Sequence, residues 1–426
     1  MKRFVPWALL ATALGASCTL DLAGKPPGNT GGAGGTAAAT TSTEAASSST
    51  GAGGAGGATM SVSVSASASM SASASASSSA ASSTGTGGGP VWTHRRVLDL
   101  DCGFNGTVND FAVLVLLNTG RIDYNATRNK GEDLRFTDTS DQPLPYEIER
   151  WDEAGVSVVW VHVPAITQTG STHTNIHMYY GNTSANDAQD PNGIWNATYA
   201  GVWHLSQADN ALADSAGKSP PAANTGSTSI PSIVGDGRKF VASSGHYIDT
   251  KNAIQVDRYT VEAFVNGKHD ATTRNGPNGP LMREKNYQIM WDHLDPYVGA
   301  ASLNTKDGDG NGQNWKTADF VTLVADTWYY LAATFEGDKL VAYTNGKKIT
   351  TTTFNMTDPQ METSTAKIGR HANNGASMNF FDGSVDEVRI STITRSDDWI
   401  KAQNKSMRDA GFVGFGAEET GSYSLP

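Results

Sequence analysis

The chain has 426 residues and 42 acidic against 31 basic side chains, for a net charge of −11, and no Lys/Arg cluster is longer than a dipeptide. That balance excludes nucleic acid and an anionic membrane surface as partners, since both need clustered cations. The two cysteines, Cys18 and Cys102, cannot form a disulfide framework if the first is modified, and Cys102 reads as a buried, inert thiol.

Lys2 and Arg3, a short apolar run from Phe4 to Leu14 and Gly15-Ala16-Ser17 precede Cys18. The run is too short to span a bilayer and reads as a cleaved export signal. From Lys25 to Pro90 the chain is almost entirely Gly, Ala, Ser and Thr, with Glu44 the only acid and no aromatic residue. Such a stretch cannot offset its ordering entropy by apolar burial and is expected to be a disordered tether, with an r.m.s. span of roughly 45 Å.

Strand-like runs then recur between turn residues at Arg96–Asp101, Phe111–Leu117, Asp133–Thr137, Tyr146–Trp151, Val156–Val163 and Asn175–Tyr180. The β-branched run around Val158–Val163 has the character of a sandwich-core strand. Asp133, Arg135, Asp138 and Glu147 read as turn and ion-pair residues rather than a site. A second set follows at Tyr259–Asn266, Tyr287–Asp292, Tyr297–Leu303, Phe320–Leu323, Trp328–Phe335, Lys339–Thr344 and Val385–Ser391. Asn345-Gly346 predicts a tight hairpin. Evenly spaced strands without crossover helices predict an all-β chain with a two-sheet jelly roll in its C-terminal part.

Three residue patterns bear on chemistry. Paired carboxylates for glycan hydrolysis must share a face of one strand. Glu147-Ile-Glu149 has that spacing but lacks a third acid, and Asp386-Glu387 are adjacent, which in a regular strand sends them to opposite faces. No catalysis is therefore expected. Asp307-Gly-Asp309-Gly-Asn311-Gly312 reproduces the first half of a calcium loop, but its twelfth position is Ala318, with Asp319 one residue late. A weak calcium site and a polar hairpin tip both remain open there. For sugar binding, Tyr287, Trp291, Tyr297 and Trp315 with Arg283, Asp292 and Asn314 form a candidate aromatic–polar site, and the same aromatics are equally suited to a core.

Three resemblances add to this reading. The Gly-Ala-Ser-Cys18 ending resembles a bacterial lipobox, although Leu14 lies one place further upstream than usual. It implies lipidation at Cys18 and, with Thr19 following, an outer-membrane lipoprotein at the bacterial cell surface; simple secretion is the alternative. Trp92-Thr-His-Arg-Arg, Asp133-Leu-Arg-Phe-Thr-Asp138, Tyr146-Glu-Ile-Glu149, Val158 to Pro164 and Met178-Tyr-Tyr-Gly-Asn182 resemble an uncharacterised bacterial domain. That domain also occurs in proteins related to MotA/TolQ/ExbB proton channels. Val202-Trp-His-Leu205, Asp214-Ser-Ala-Gly217, Trp328 to Gly346, Ile368-Gly-Arg370 and Phe381 to Ile390 resemble a laminin-G-like, concanavalin A-type lectin/glucanase domain. The run Asp397-Asp-Trp-Ile-Lys401 fits its terminal helical turn. This resemblance implies glycan or protein binding and a structural calcium near Asp214 and Asp386.

The expected organisation is thus a signal at 1–18, a tether at 19–90, a β-sandwich of unknown role at 91–200, a jelly roll at 201–418 and a tail at 419–426. The expected function is recognition of a polysaccharide or glycoprotein surface, with membrane contact only through the lipid anchor. A structural or protein-interaction role with an envelope protein partner and an atypical glycan hydrolase are the alternatives.

Overall fold

Among the described residues of the protein, represented by a computed structural model, every strand pairing is antiparallel, as period-two patterning without crossover helices requires. The structure describes residues 91–425 apart from 209–210, 270–278, 284, 295–296, 305–314, 355–362 and 374–376. The export signal, Cys18 and the tether lie outside these residues, as do Asp307, Asp309, Asn311 and Asn314; the side chain of Asp292 is likewise not described.

The chain builds four main sheets, and residues 88–426 form one compact unit. In the first sheet, Val91–Leu100 pairs on one side with Thr174–Tyr180, which in turn pairs with Arg135–Asp138. The second holds Gly106–Leu117, Ser157–Gln168 and Tyr146–Arg150. The third runs from Thr228–Pro231 and Asp236–Phe240 through Gly383–Ser391, Tyr259–Gly267 and Tyr329–Glu336 to Lys339–Thr344 and Lys347–Thr353, with Tyr199–Trp203 also on Gly383–Ser391. The fourth runs from Trp315–Thr322 through Val298–Asn304, Tyr287–Leu294, Leu281–Arg283, Lys367–Ile368 and Tyr247–Asp249 to Ala222–Thr225 and Ala211–Leu212.

Alternation along each strand decides which layer a side chain enters. Val261, Ala263 and Val265 face the fourth sheet in a core with Trp291, Ile289, Leu331 and Val385. Phe264, Tyr330, Ala332 and Tyr343 leave the other face of the third sheet and join a core that also contains Val113, Val159, Trp160, Leu98 and Ile176. The third sheet is therefore buried on both faces over much of its area, which explains the near-continuous apolar reading of its central strands. Asn345 and Gly346, at φ 50° and 76°, make the expected hairpin; a left-handed pair costs little when the residues are Asn and Gly.

The separate domains expected at 91–200 and 201–418 do not stand apart, and residues 419–426 are not a free tail. Val413–Phe415 and Glu419–Ser424 both pair with Val91–Leu100, with Val91 opposite Ser424. The physical reason is the edge of Val91–Leu100, whose backbone donors and acceptors need partners. Arg95 binds Glu419 and Arg96 binds Glu418 at 3.1 Å across this pairing. The expected terminal turn is a longer helix, Asp397–Arg408, capped by Ser396, whose side chain accepts from Trp399 N. Its buried Trp399, Ile400 and Met407 pack in the core shared with Phe111 and Val113.

Candidate functional site

Two side-chain constellations merit a functional reading, one buried and one at the surface. The buried one lies where the second sheet meets the third. His204 sits at its centre, with Nδ1 2.8 Å from Glu387 Oε1 and 3.5 Å from Glu149 Oε2, and Nε2 3.4 Å from Glu147 Oε2. Arg389 Nη2 donates to Glu387 Oε2 at 2.6 Å, and Nη1 lies 3.6 Å from Glu262 Oε1. The Arg389 guanidinium is 4.4 Å from the Trp160 ring centroid and 5.0 Å from that of Trp195. Indole donors complete the set: Trp160 Nε1 to Glu149 at 2.8 Å and Trp195 Nε1 to Glu147 at 2.6 Å. Tyr330 OH donates to Glu262.

The adjacency rule misplaces Glu387. Opposite Ala263 the strand Gly383–Ser391 carries one residue too many: Phe264 pairs with Asp386 and Glu262 with Arg389. Glu387 takes φ 51° in this bulge and turns its carboxylate to His204. A bulge re-aims a side chain in this way, at about 1 kcal/mol or more for a left-handed non-glycine residue. Glu387 thereby supplies the third acid that Glu147 and Glu149 lacked in the sequence.

Burial opposes charge here, and partners decide which groups keep it. Burial pushes the Glu149 carboxyl up to about 7, against the pull of His204. It also raises Asp386 well above the carboxylate range, with Glu387 adding to the shift, and raises Glu262. Burial works against an imidazolium at His204, but Glu387, Glu149 and Glu147 outweigh it and hold the pKa well above the usual value. Glu147 is held low against burial by His204, Trp195 and Ser215. The cluster therefore keeps protons on some acids and balances the rest with His204 and Arg389.

Among the described residues Glu149, His204 and Glu387 are the group whose donor atoms, within 4.8 Å of one another, could share a metal ion. Two carboxylates and an imidazole do not make the oxygen cage that calcium takes. His204, the indole of Trp160 and the Arg389 guanidinium already serve these carboxylates, so the arrangement reads as an ion-pair lock. The same trio offers no cleft for hydrolysis: the Glu149 and Glu387 side chains are 1% and 0% exposed.

The other two residues named as calcium candidates accept backbone amides. Asp214 Oδ1 accepts the amides of Val202 and Ala216, and Oδ2 those of Lys218 and Ser219, so this carboxylate ties a turn. Asp386 is fully buried and accepts Val234 N at 2.9 Å. Neither belongs to a three-donor group among the described residues. In the first sheet region Asp133 and Asp138 hold turns through backbone amides, and Arg135 caps carbonyls beneath Trp92.

The aromatic sugar site expected around Trp291 is also corrected in part. Tyr287, Trp291 and Arg283 are each 0% exposed, because alternation in Leu281–Arg283 and Tyr287–Leu294 turns them into the core between the third and fourth sheets. Trp291 packs against Phe381 and Tyr329. Tyr297 and Trp315 keep partial exposure at the rim, Tyr297 stacked on His269 at 4.0 Å with φ 66°.

A different, half-buried aromatic group lies where the outer face of the fourth sheet meets a small hairpin. Ile248 points into the core, so Tyr247 and Asp249 point away from it. Arg370 and Phe380 face each other across a small hairpin, Arg370–Asn373 with Ser377–Phe380. The Arg370 guanidinium lies 5.0 Å from the Tyr247 ring centroid and 6.0 Å from that of Phe380, and the two rings are 6.3 Å apart. All three side chains are half-buried. Beside them Asp249 gathers Lys367 at 2.9 Å, Lys251 at 3.3 Å and the Thr365 hydroxyl at 2.6 Å. Burial raises the Asp249 carboxyl, yet Thr365 and Lys367 hold it below the carboxylate range. Sequence reasoning missed this group, although Phe380-Phe381 carried a signal: neighbouring residues of a strand alternate, so one ring had to leave the core.

A polar groove of about 500 Å³ lies at the start of the helix, lined by Glu336, Asp338, Lys339, Tyr343 and Asp397 among others. Two of its acids have partners: Asp397 takes Tyr343 OH at 2.7 Å and Lys348 at 2.6 Å, and Glu336 lies 3.6 Å from Arg258.

Two family models match the chain. The concanavalin A-like lectin/glucanases superfamily matches residues 242–401, and a domain of unknown function, DUF2341, matches residues 130–202. No curated protein matches. Among solved structures, domain 4 of AbnA, a GH43 extracellular arabinanase from Geobacillus stearothermophilus in complex with arabinotriose, is similar at 15% identity and a TM-score of 0.38. That match covers 48% of this chain and 97% of the other. The binding domain of Paraclostridial Mosquitocidal Protein 1 matches at 11% identity and a TM-score of 0.39, over 49% of this chain and 52% of the other. The botulinum neurotoxin serotype D ligand-binding domain in complex with N-acetylneuraminic acid matches at 15% and 0.37, over 49% and 50%. The chain thus spans about half the length of the toxin domains it matches. At these identities and scores the likeness does not carry their ligands over.

Proposed function

We propose that the protein is a non-catalytic binder of polysaccharide, and that its ligand docks on Tyr247, Phe380 and Arg370. The observation that carries this reading is a half-exposed pair of aromatic rings with a guanidinium over them, while Tyr287 and Trp291 of the fourth sheet are fully buried. Pyranose rings present C–H faces that stack on aromatic side chains, while a planar fork of N–H donors picks out equatorial hydroxyls or acidic groups. The match of this region to a lectin/glucanase superfamily supports the same class of ligand. The buried state of Glu149 and Glu387 favours binding over hydrolysis.

Tyr247→Ala and Phe380→Ala are expected to weaken binding to a polysaccharide panel by about two- to tenfold each, given ~0.5–1.5 kcal/mol per aromatic contact. Both residues are half-exposed, so the melting temperature should stay near that of the parent. Retention of full affinity in both variants, read by isothermal titration, would move the ligand elsewhere.

We propose further that Cys18 anchors the protein to a membrane by acylation, with residues 19–90 as spacer, in support of a surface role. Mass spectrometry of the mature protein from a Gram-negative host should find an acylated Cys18 as first residue. An unmodified Cys18 within a longer peptide would contradict this.

A further inference from the structure

Resting on the polysaccharide-binding reading above, we infer that the ligand is an anionic polysaccharide, carrying carboxylate or sulfate groups, and that Arg370 reads its charge. The local charge balance points there. Arg370 lies over Tyr247 and Phe380, and two residues along the strand from Tyr247 a single carboxylate, Asp249, is shared by two lysines, Lys251 and Lys367. The neighbouring Asp382 lies 3.5 Å from Lys268. No carboxylate among the described residues lies within ion-pair distance of Arg370, although the chain holds 42 acids to 31 bases. An acidic protein that leaves a guanidinium without a carboxylate beside a double-lysine pair has built a local positive field, which attracts anions.

The geometry suits an acidic sugar better than a free anion. Arg370 is held over two rings rather than extended into water, so its fork is fixed before binding and loses little entropy on meeting a carboxylate or sulfate. The same rings offer the sugar a stacking surface beside its acid. A neutral polysaccharide would use the rings and leave the cations uncompensated.

The test uses the full chain and two matched pairs of probes: polygalacturonate against fully methyl-esterified pectin, and dextran sulfate against dextran. We expect at least one charged member to bind about tenfold or more tighter than its neutral counterpart at about 50 mM salt, with the gap closing at about 0.5 M, as screening of an exposed contact requires. The pair that shows the gap identifies carboxylate or sulfate as the group read. Arg370→Gln should remove the gap with an unchanged melting temperature, and Arg370→Lys should restore part of it. Equal affinity for charged and neutral probes, with Tyr247→Ala weakening both, overturns the inference and leaves the binding reading standing. A charge preference that survives Arg370→Gln overturns the assignment of Arg370. No binding to any probe, charged or neutral, overturns both readings.

Discussion

Arg389→Ala is expected to lower the stability of the folded unit by about 3–5 kcal/mol, the cost of removing one partner from a buried ion pair. Arg389 is 0% exposed and holds Glu387 at 2.6 Å with Glu262 at 3.6 Å, both also buried. Its loss leaves Glu262 without a cation and Glu387 with His204 alone, and removes the guanidinium wedged against Trp160 and Trp195. Equilibrium unfolding in guanidinium chloride reads the loss directly. The paired replacement Arg389→Met with Glu387→Leu should recover much of it, because the second change removes the charge left behind. A single-variant loss below about 1 kcal/mol would mean that the junction of the second and third sheets does not depend on this pair.

The second large effect is on pH. Thermal stability is expected to fall as pH rises from 5 to 8. Glu149 has a folded pKa of about 7 against an ordinary 4.5, so its proton favours the folded state below 4.5, and that contribution is lost as pH rises through 7. A pKa displaced by one corresponds to about 1.4 kcal/mol, so the swing for Glu149 alone is about 3 kcal/mol. Asp386, Glu262 and His204 are also raised and act in the same direction, each losing its contribution as pH climbs through its own folded value. Glu147 is lowered, so its contribution is present above 4.5 and lost only as pH falls below that, outside this window. Glu149→Gln should flatten the slope of melting temperature against pH. A parent whose melting temperature holds or rises from pH 5 to 8 would contradict the assignment of protons to this cluster.

The fold was legible in the sequence wherever alternation ran long enough. Val158–Val163, Tyr259–Asn266, Lys339–Thr344 and the Asn345-Gly346 turn all emerged because each sets its own period or turn geometry. What stayed hidden depends on contacts distant in the chain. Glu419–Ser424 has a weak pattern of its own and is a strand because Val91–Leu100 has an edge to fill. The short strands between residues 211 and 249 likewise exist through their partners.

The candidate sites divide on the same line. Trp291 and Tyr287 have the composition of a sugar platform, but their parity in the strand places them in the core, and parity depends on register. Tyr247 and Phe380 are separated by most of the jelly roll and meet only through the pairing of Tyr247–Asp249 with Lys367–Ile368 and the hairpin that follows. Glu387 was assigned the wrong face because one extra residue opposite Ala263 broke the alternation.

Ligand docking on the outer face of the fourth sheet is tested most directly by backbone hydrogen exchange on the full chain, with and without a saturating polysaccharide ligand. Docking there predicts slowed exchange at residues 245–251, 365–370 and 379–381, and little change in the buried strands Tyr287–Leu294 and Val298–Asn304. Protection that spares Tyr247, Arg370 and Phe380 and falls instead on the first sheet would contradict it.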